Sequence, residues 1–185
     1  MTRIPTVPEE IVVLGDPRLR RMSTPVADLD TPEFHAARTR LHAALKKFRE
    51  TNGFGRAISA PQIGDDRRFI ACDLGDGAFT LHNPIITWRD ENRFTLWDAC
   101  MSFPELMVKV PRYRSITVTY QDDRGRDQHM SKLSPALASL FQHEIDHLDG
   151  VLAVDHALGP DGVVHRKAFD ANRDYFDAQV DDPAA

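Results

Sequence analysis

The sequence predicts an α+β fold in which a few short sheets wrap one central helix. Three observations predict it. Helical spacing is concentrated in two stretches, near residues 31–50 and 134–148. The segment between them breaks into β-prone runs of three to five residues, separated by Asp, Asn, Gly and Arg clusters. A further amphipathic stretch closes the chain. At 185 residues the chain has the size of one domain, and it can bury a core without a partner.

In order along the chain, residues 1–10 read as an irregular leader. Ile11, Val12, Val13 and Leu14 are expected to form a short strand, closed by the turn chemistry of Gly15, Asp16 and Pro17. Thr31 suits a helix cap, because its hydroxyl can accept a free N–H of the first turn, and Pro32 suits the first helical position. Phe34, Leu41, Leu45 and Phe48 then recur on one face up to Glu50. Gly53, Gly55, Pro61 and Gly64 exclude a regular helix over the next stretch. Runs at 69–72, 79–81, 85–88, 94–97, 106–110 and 116–120 read as strands, and the alternation of Ile116, Val118 and Tyr120 gives the last of them one buried face. After Gly125 a polar link leads to Ser131. Ser134 and Pro135 form a second capping pair, opening a helix that runs through Leu148 and stops near Gly150. Phe169, Phe176 and Val180 share one side of a C-terminal amphipathic segment spanning 165–180.

Charge and composition narrow the function classes. With 23 basic and 28 acidic side chains the formal net charge is -5, which argues weakly against direct nucleic-acid binding, since that needs a clustered positive footprint, though a mildly acidic total leaves room for a local basic patch. No run approaches the length of a membrane span, and the N-terminus lacks a basic segment followed by an apolar run. Two cysteines, Cys72 and Cys100, make no disulfide framework. A reducing cytoplasm, where a free thiolate persists, is the expected location, with no membrane contact.

The decisive string is Gln142-His143-Glu144-Ile145-Asp146-His147. Residues four apart lie above one another on a helix, so His143 and His147 can aim two imidazoles at one point. Glu144 sits about 100° round the helix from His143, placed to handle a proton rather than to ligate. A histidine pair at this spacing also arises by chance. The intervening Glu and the flanking Leu140, Phe141, Ile145 and Leu148 favour a metal over that alternative. A catalytic ion needs a third ligand and an open position, at which coordinated water is acidified toward a pKa of about 7. Asp155, His156, His165 and Cys100 are all formally available as the third ligand. A lone cysteine in apolar surroundings is more often buried filler.

Three separated stretches together resemble the peptide deformylase family. Gly55-Arg56-Ala57-Ile58-Ser59-Ala60-Pro61-Gln62-Ile63-Gly64 is similar to Gly-x-Gly-Leu-Ala-Ala-x-Gln, and Asp98-Ala99-Cys100-Met101-Ser102 to Glu-Gly-Cys-Leu-Ser. Residues Gln142 to Gly150 match Gln-His-Glu-x-Asp-His-Leu-x-Gly throughout, over a resemblance that covers residues 10–155. It implies short, mostly antiparallel sheets around a metal-binding helix. It also implies an enzyme that removes the formyl group from the N-terminal methionine of newly made chains. Cys100, His143 and His147 would hold the metal, Fe2+ in the cell, with Zn2+ or Ni2+ as substitutes. Glu144 would be the base, while the Gln62 side chain and the Met101 backbone N–H would donate to the reacting carbonyl oxygen. Asp98, Arg112 and Asp146 would support the ligand histidines from behind. The partner is an N-formylated peptide, with ribosome association as a further expectation.

Departures from the pattern cluster around the substrate, although Asp98 and Ala99 also change the sequence before Cys100, the Asp being one methylene shorter than Glu if it must reach Arg112. Ala57 replaces a glycine, Arg56 stands in place of an aliphatic residue, and Met107 falls where an arginine is common. Ile58, Ala136, Ser139 and Leu140 complete the expected pocket, with Ser139 and Ala136 making it wider or more polar. Two other readings follow. One is a related hydrolase acting on a different N-formyl or small N-acyl amine. The other is a metal-containing binding protein with little catalysis, favoured by crowding at Ala57. A protease of the His-Glu-x-x-His type would leave Gln62 and Cys100 without roles.

Overall fold

The computed structural model describes residues 4–182. Helix α1 spans Pro32–Asn52. The Thr31 Oγ1 accepts the Phe34 N–H at 3.2 Å, as the cap chemistry predicts, and Gly53 ends the helix in the left-handed region at φ 80°. Phe34, Leu41, Leu45 and Phe48 are buried against strands β1 (Ala57–Ser59) and β2 (Phe69–Asp73), where Ile58, Phe69 and Ala71 meet them. Burying each large side chain of this kind is worth roughly 1.5–3 kcal/mol, so the helix is held by its face more than by its caps.

A five-stranded sheet runs in the order β1-β2-β3-β6-β7, with β3 at Ala78–Arg89, β6 at Ile116–Gln121 and β7 at Asp127–Met130. A three-stranded sheet runs β4-β5-β8, with β4 at Arg93–Asp98, β5 at Leu106–Tyr113 and β8 at Val163–His165. Every pairing within the two sheets is antiparallel.

Helix α2 (Pro135–Leu148) lies against both sheets. Ala138, Phe141, Ile145 and Leu148 pack onto Ile70, Leu81, Ile116 and Val118 of the larger sheet. On its other side the Gln142 amide exchanges two 2.9 Å hydrogen bonds with the Tyr113 backbone, clamping the helix to the end of β5. Gly150, at φ 74°, lets the chain turn away beneath Arg20; a Cβ there would lie 2.7 Å from the Arg20 carbonyl oxygen.

Several expectations need correction. Residues 11–14 form no strand. Instead the Val12 and Leu14 N–H groups donate to Gln62 O (2.8 Å) and Ser102 O (3.0 Å), so the segment threads between two loops. The runs at 79–81 and 85–88 are one strand, β3. A register shift between His82 and Ile85, with Asn83 at φ 52°, absorbs the Asn-Pro pair without breaking the sheet. The polar link after Gly125 contains β7, and β8 was not anticipated, because neither short strand carries an apolar alternation. Ser134 makes no side-chain cap bond.

The C-terminal amphipathic segment is two short helices, α3 (Arg166–Ala171) and α4 (Arg173–Asp177). Phe169 and Phe176 meet the Trp97 ring at 5.6 and 5.3 Å, and the Trp97 Nε1–H donates to Phe176 O at 2.8 Å. Asp181 then pairs with Thr95 through its backbone N–H (3.1 Å to Thr95 O) and its carboxylate (2.8 Å from Thr95 N). The segment is thereby docked on β4. No helix among the described residues is long and apolar enough to cross a membrane.

Candidate active site

Helix α2 brings His143 and His147 onto one face, their rings 4.9 Å apart. The turn after β4 brings Cys100 to the same point, and the Cys, His and His donor atoms lie within 4.8 Å of one another, all buried. Cys100 Sγ is 3.2 Å from His147 Nε2. His143 engages Asp98 Oδ2 through Nδ1 at 2.9 Å, which leaves its other ring nitrogen for the centre. A thiolate and two imidazoles converging in a buried pocket form the donor set of a one-ion site with a position left over. These residues therefore fit a bound divalent metal. Asp155, His156 and His165 are not part of this cluster.

Behind the histidines runs a chain of charges. Arg112, only 3% exposed, pairs with Asp98 at 3.1 Å and with Asp146, and Asp146 also accepts from His156 Nε2 at 3.1 Å. Burial alone would raise the Asp98 carboxyl, but His143 and Arg112 hold it well below the usual range. Burial likewise opposes a charge on His143, and Asp98 overcomes it, raising that imidazole well above its ordinary value. Among the described residues His147 has no carboxylate partner, and burial together with the neighbouring His143 pushes it well below. The two ligand rings are thus held in different ways, His143 by an anion at Nδ1 and His147 by packing and the Cys100 sulfur at Nε2.

Glu144 is buried, and burial raises its carboxyl above the ordinary value against the pull of His143 and Ser59. The Ser59 hydroxyl lies within hydrogen-bond distance of both the Glu144 carboxylate and its backbone oxygen, so it orients the acid from β1. Gln62 is fixed at one end, where its Oε1 accepts the Ser59 N–H at 2.9 Å. Its Nε2–H2 end donates to Ser102 Oγ (3.2 Å) and faces Cys100 Sγ (3.6 Å). The Ser102 N–H points at the same sulfur from 3.4 Å. Among the described residues, no group accepts from the Met101 N–H.

These groups open into a cleft of about 570 Å³. Arg56, Ala57, Met107, Ser139 and Leu140 line it, together with Gln62, Asp98, Met101, His143 and Glu144. Two pocket residues expected from the sequence do not. Ile58 points the other way, into the core under α1, and Ala136 lies outside the lining, its carbonyl accepting the Ser139 hydroxyl at 3.2 Å. Strand alternation explains the first, since neighbours on β1 face opposite sides of the sheet. Ala57 sits in β1 and is not among the residues at positive φ, so its methyl group imposes no backbone strain.

Sequence reasoning missed Ser59 and Ser102, both inside the quoted motifs, and the cleft walls made by Phe54, Leu96, Trp97, Phe169 and Arg173. A serine hydroxyl facing an acid leaves no spacing signal. The walls come from distant parts of the chain and could be found only through contacts.

Comparison with known proteins agrees with this geometry. Residues 8–161 match the family model described as polypeptide deformylase. The chain is 36% identical over 147 residues to the peptide deformylase of Thermotoga maritima, covering 78% of this chain and 84% of that protein. It is 35% identical over 181 residues to that of Thermus thermophilus, covering 88% of each. Among solved structures, the Thermotoga maritima peptide deformylase superposes with a TM-score of 0.72 at 34% identity, over 80% of this chain and 96% of that one. A Synechococcus elongatus peptide deformylase in complex with actinonin superposes with a TM-score of 0.74 at 27% identity, over 96% and 94%.

Proposed function

The chain belongs to the polypeptide deformylase family of metallohydrolases, and from that premise we propose which of its residues carry out the reaction and under what conditions. The reaction itself is that of the family: the formyl group is hydrolysed from the N-terminal formyl-methionine of nascent polypeptides, releasing formate and a free amine.

In our assignment Cys100, His143 and His147 would hold a divalent ion, which when bound would supply Lewis-acid chemistry for activating water and polarising the formyl group. Glu144 takes a proton from the attacking water as the water oxygen bonds to the formyl carbon. The Gln62 Nε2–H and the Met101 N–H donate to the carbonyl oxygen as negative charge grows there. Losing one donor of this kind raises a barrier by about 3 kcal/mol. When the C–N bond breaks, Glu144 returns its proton to the leaving amine. Asp98, Arg112 and Asp146 keep the His143 ring in register, and Ser59 does the same for Glu144. The observation that carries the assignment is the convergence of three buried donors within 4.8 Å, with the Glu144 carboxylate on the same helix and the Gln62 amide 3.6 Å from the sulfur.

Fe2+ is the assigned ion in the cell, with Zn2+ or Ni2+ accepted, since thiolate and imidazole donors suit all three. The chain acts as one catalytic domain spanning 1–185, its leader at 1–10 and its C-terminal segment at 165–180, in the cytoplasm. Association with the ribosome would place it near its substrate.

The test is anaerobic assay of iron-loaded protein on formyl-methionyl peptides with formate measured directly. A kcat/KM of about 10⁵ M⁻¹s⁻¹ or more is expected, within the ordinary enzyme range. Formate from a different N-formyl amine and none from the peptides would transfer the assignment to that amine. Silence across all substrates, with the ion bound, would leave a binding protein.

A further inference from the structure

Three arginines line the cleft, and they are not equivalent. Arg49 is paired with the Asp73 carboxylate. Arg173 is paired with Asp177 at 2.9 Å and lies over the Phe169 ring at 4.8 Å. Arg56 has neither an ion pair nor a hydrogen-bond partner for its guanidinium among the described residues.

Its backbone, by contrast, is firmly placed. The Arg56 carbonyl accepts the Asp73 N–H at 2.8 Å, and the next residue, Ala57, pairs with Cys72 in the sheet. The preceding Gly55 holds φ 122° and lies so close to Met101 that a Cβ would come within 2.7 Å of the Met101 Cε. A rigid edge therefore delivers a cation to the wall of the cleft that contains Gln62, His143 and Glu144. Of the carboxylates in the cleft, Asp98 is engaged by His143 and Arg112, and Glu144, which feels the Arg56 charge, takes its hydrogen bond from Ser59 and makes no ion pair with Arg56 among the described residues. Leu96, Met107, Leu140 and Phe169 are apolar, and Ser139 spends its hydroxyl on the Ala136 carbonyl.

We propose that Arg56 is a specificity-determining residue that recognises a carboxylate carried by the formylated substrate close to its reacting amide. A guanidinium presents planar paired donors that match a carboxylate, and Arg56 is exposed at the cleft wall, where a substrate can reach it. This inference rests on the deformylase reading and names the substrate class within it. The carboxylate has two possible sources: the side chain of the residue after the formyl-methionine, or the terminal carboxylate of a short peptide.

Substrate pairs separate these sources. Formyl-Met-Glu-Ala amide is compared with formyl-Met-Gln-Ala amide, and formyl-Met-Ala with its amide. Each is assayed by formate release, and binding of the deformylated products is measured by calorimetry. In at least one pair the anionic member is expected to be favoured about tenfold in kcat/KM at low salt, a typical return for one well-placed charge contact. That preference should shrink in about 0.5 M salt, where exposed charges are screened. In Arg56→Gln the ratio should fall to about one, in kinetics and in product binding, and Arg56→Lys should keep part of it. Equal rates within every pair, with formate released from both members, would overturn the proposal and leave the deformylase reading standing. A preference that persists in Arg56→Gln would also overturn it. No formate from any substrate would remove the deformylase reading, and this inference with it.

Discussion

The floor of the cleft and its rim are built on opposite principles. On the floor, most polar groups are paired with protein side chains: Asp98 with His143 and Arg112, Asp146 with Arg112 and the half-buried His156, Glu144 with Ser59, and Gln62 with Ser59 and Ser102, while Arg112 Nε and His147 Nδ1 stay without a hydrogen-bond partner among the described residues. On the rim, Phe54 is 39% exposed, Arg56 is exposed and makes no ion pair among the described residues, and the far wall is borrowed from α3 and α4. A floor of this kind permits almost no change, because removing one partner strands another charge in a low dielectric. A rim facing water can change residue by residue. The departures from the family pattern at 56, 57 and 107 lie on the cleft wall, those at 59 and 98 keep a polar partner for Glu144 and His143, and none falls among the ligands.

Experiments that attack the floor should give the largest effects. Glu144→Gln is expected to lower kcat by about 10³-fold or more while one ion per chain stays bound, as proton transfer is lost without loss of a ligand. An unaltered kcat would show that the proton goes elsewhere. Arg112→Met should destabilise the protein by about 3–5 kcal/mol in denaturant unfolding, because Asp98 and Asp146 then lose their shared cation. A change under about 1 kcal/mol would mean the network is solvated rather than buried.

Smaller effects sharpen the contrast. Asp98→Asn is expected to cost about 10–100-fold in metal affinity or turnover by loosening His143. Ser59→Ala should cost about tenfold in kcat with little change in KM, since the hydroxyl orients Glu144 and does not line the cleft. Phe54→Ala, on the rim, should alter KM by no more than a few-fold and leave metal content unchanged. An effect on metal binding there would break the distinction between the two regions.

The floor was legible in the sequence for the reason it is rigid. His143 and His147 share a helix face through a fixed spacing, and Gln142 and Gly150 sit at fixed offsets that the clamp to Tyr113 and the exit beneath Arg20 require. Helix α1 was equally plain, with its Thr31 cap and its row of buried aromatics and leucines. Ile58 was misread because membership in a motif says nothing about which side of a strand a residue faces. The segment 11–14 looked like a strand because it is apolar, yet its backbone bonds go to the Gln62 and Ser102 loops. Strand β7 stayed invisible because Asp127–Met130 is a polar run, and β8 because three residues carry no pattern and its partner β5 lies far back in the chain.

The most direct measurement is X-ray absorption at the edge of the bound metal in zinc-loaded protein. One sulfur at about 2.3 Å and two imidazole nitrogens at about 2.0–2.1 Å are expected, with the sulfur contribution lost in Cys100→Ser. A shell of nitrogen and oxygen alone in the unaltered protein would show that the cysteine is no ligand and would contradict the assignment of the centre.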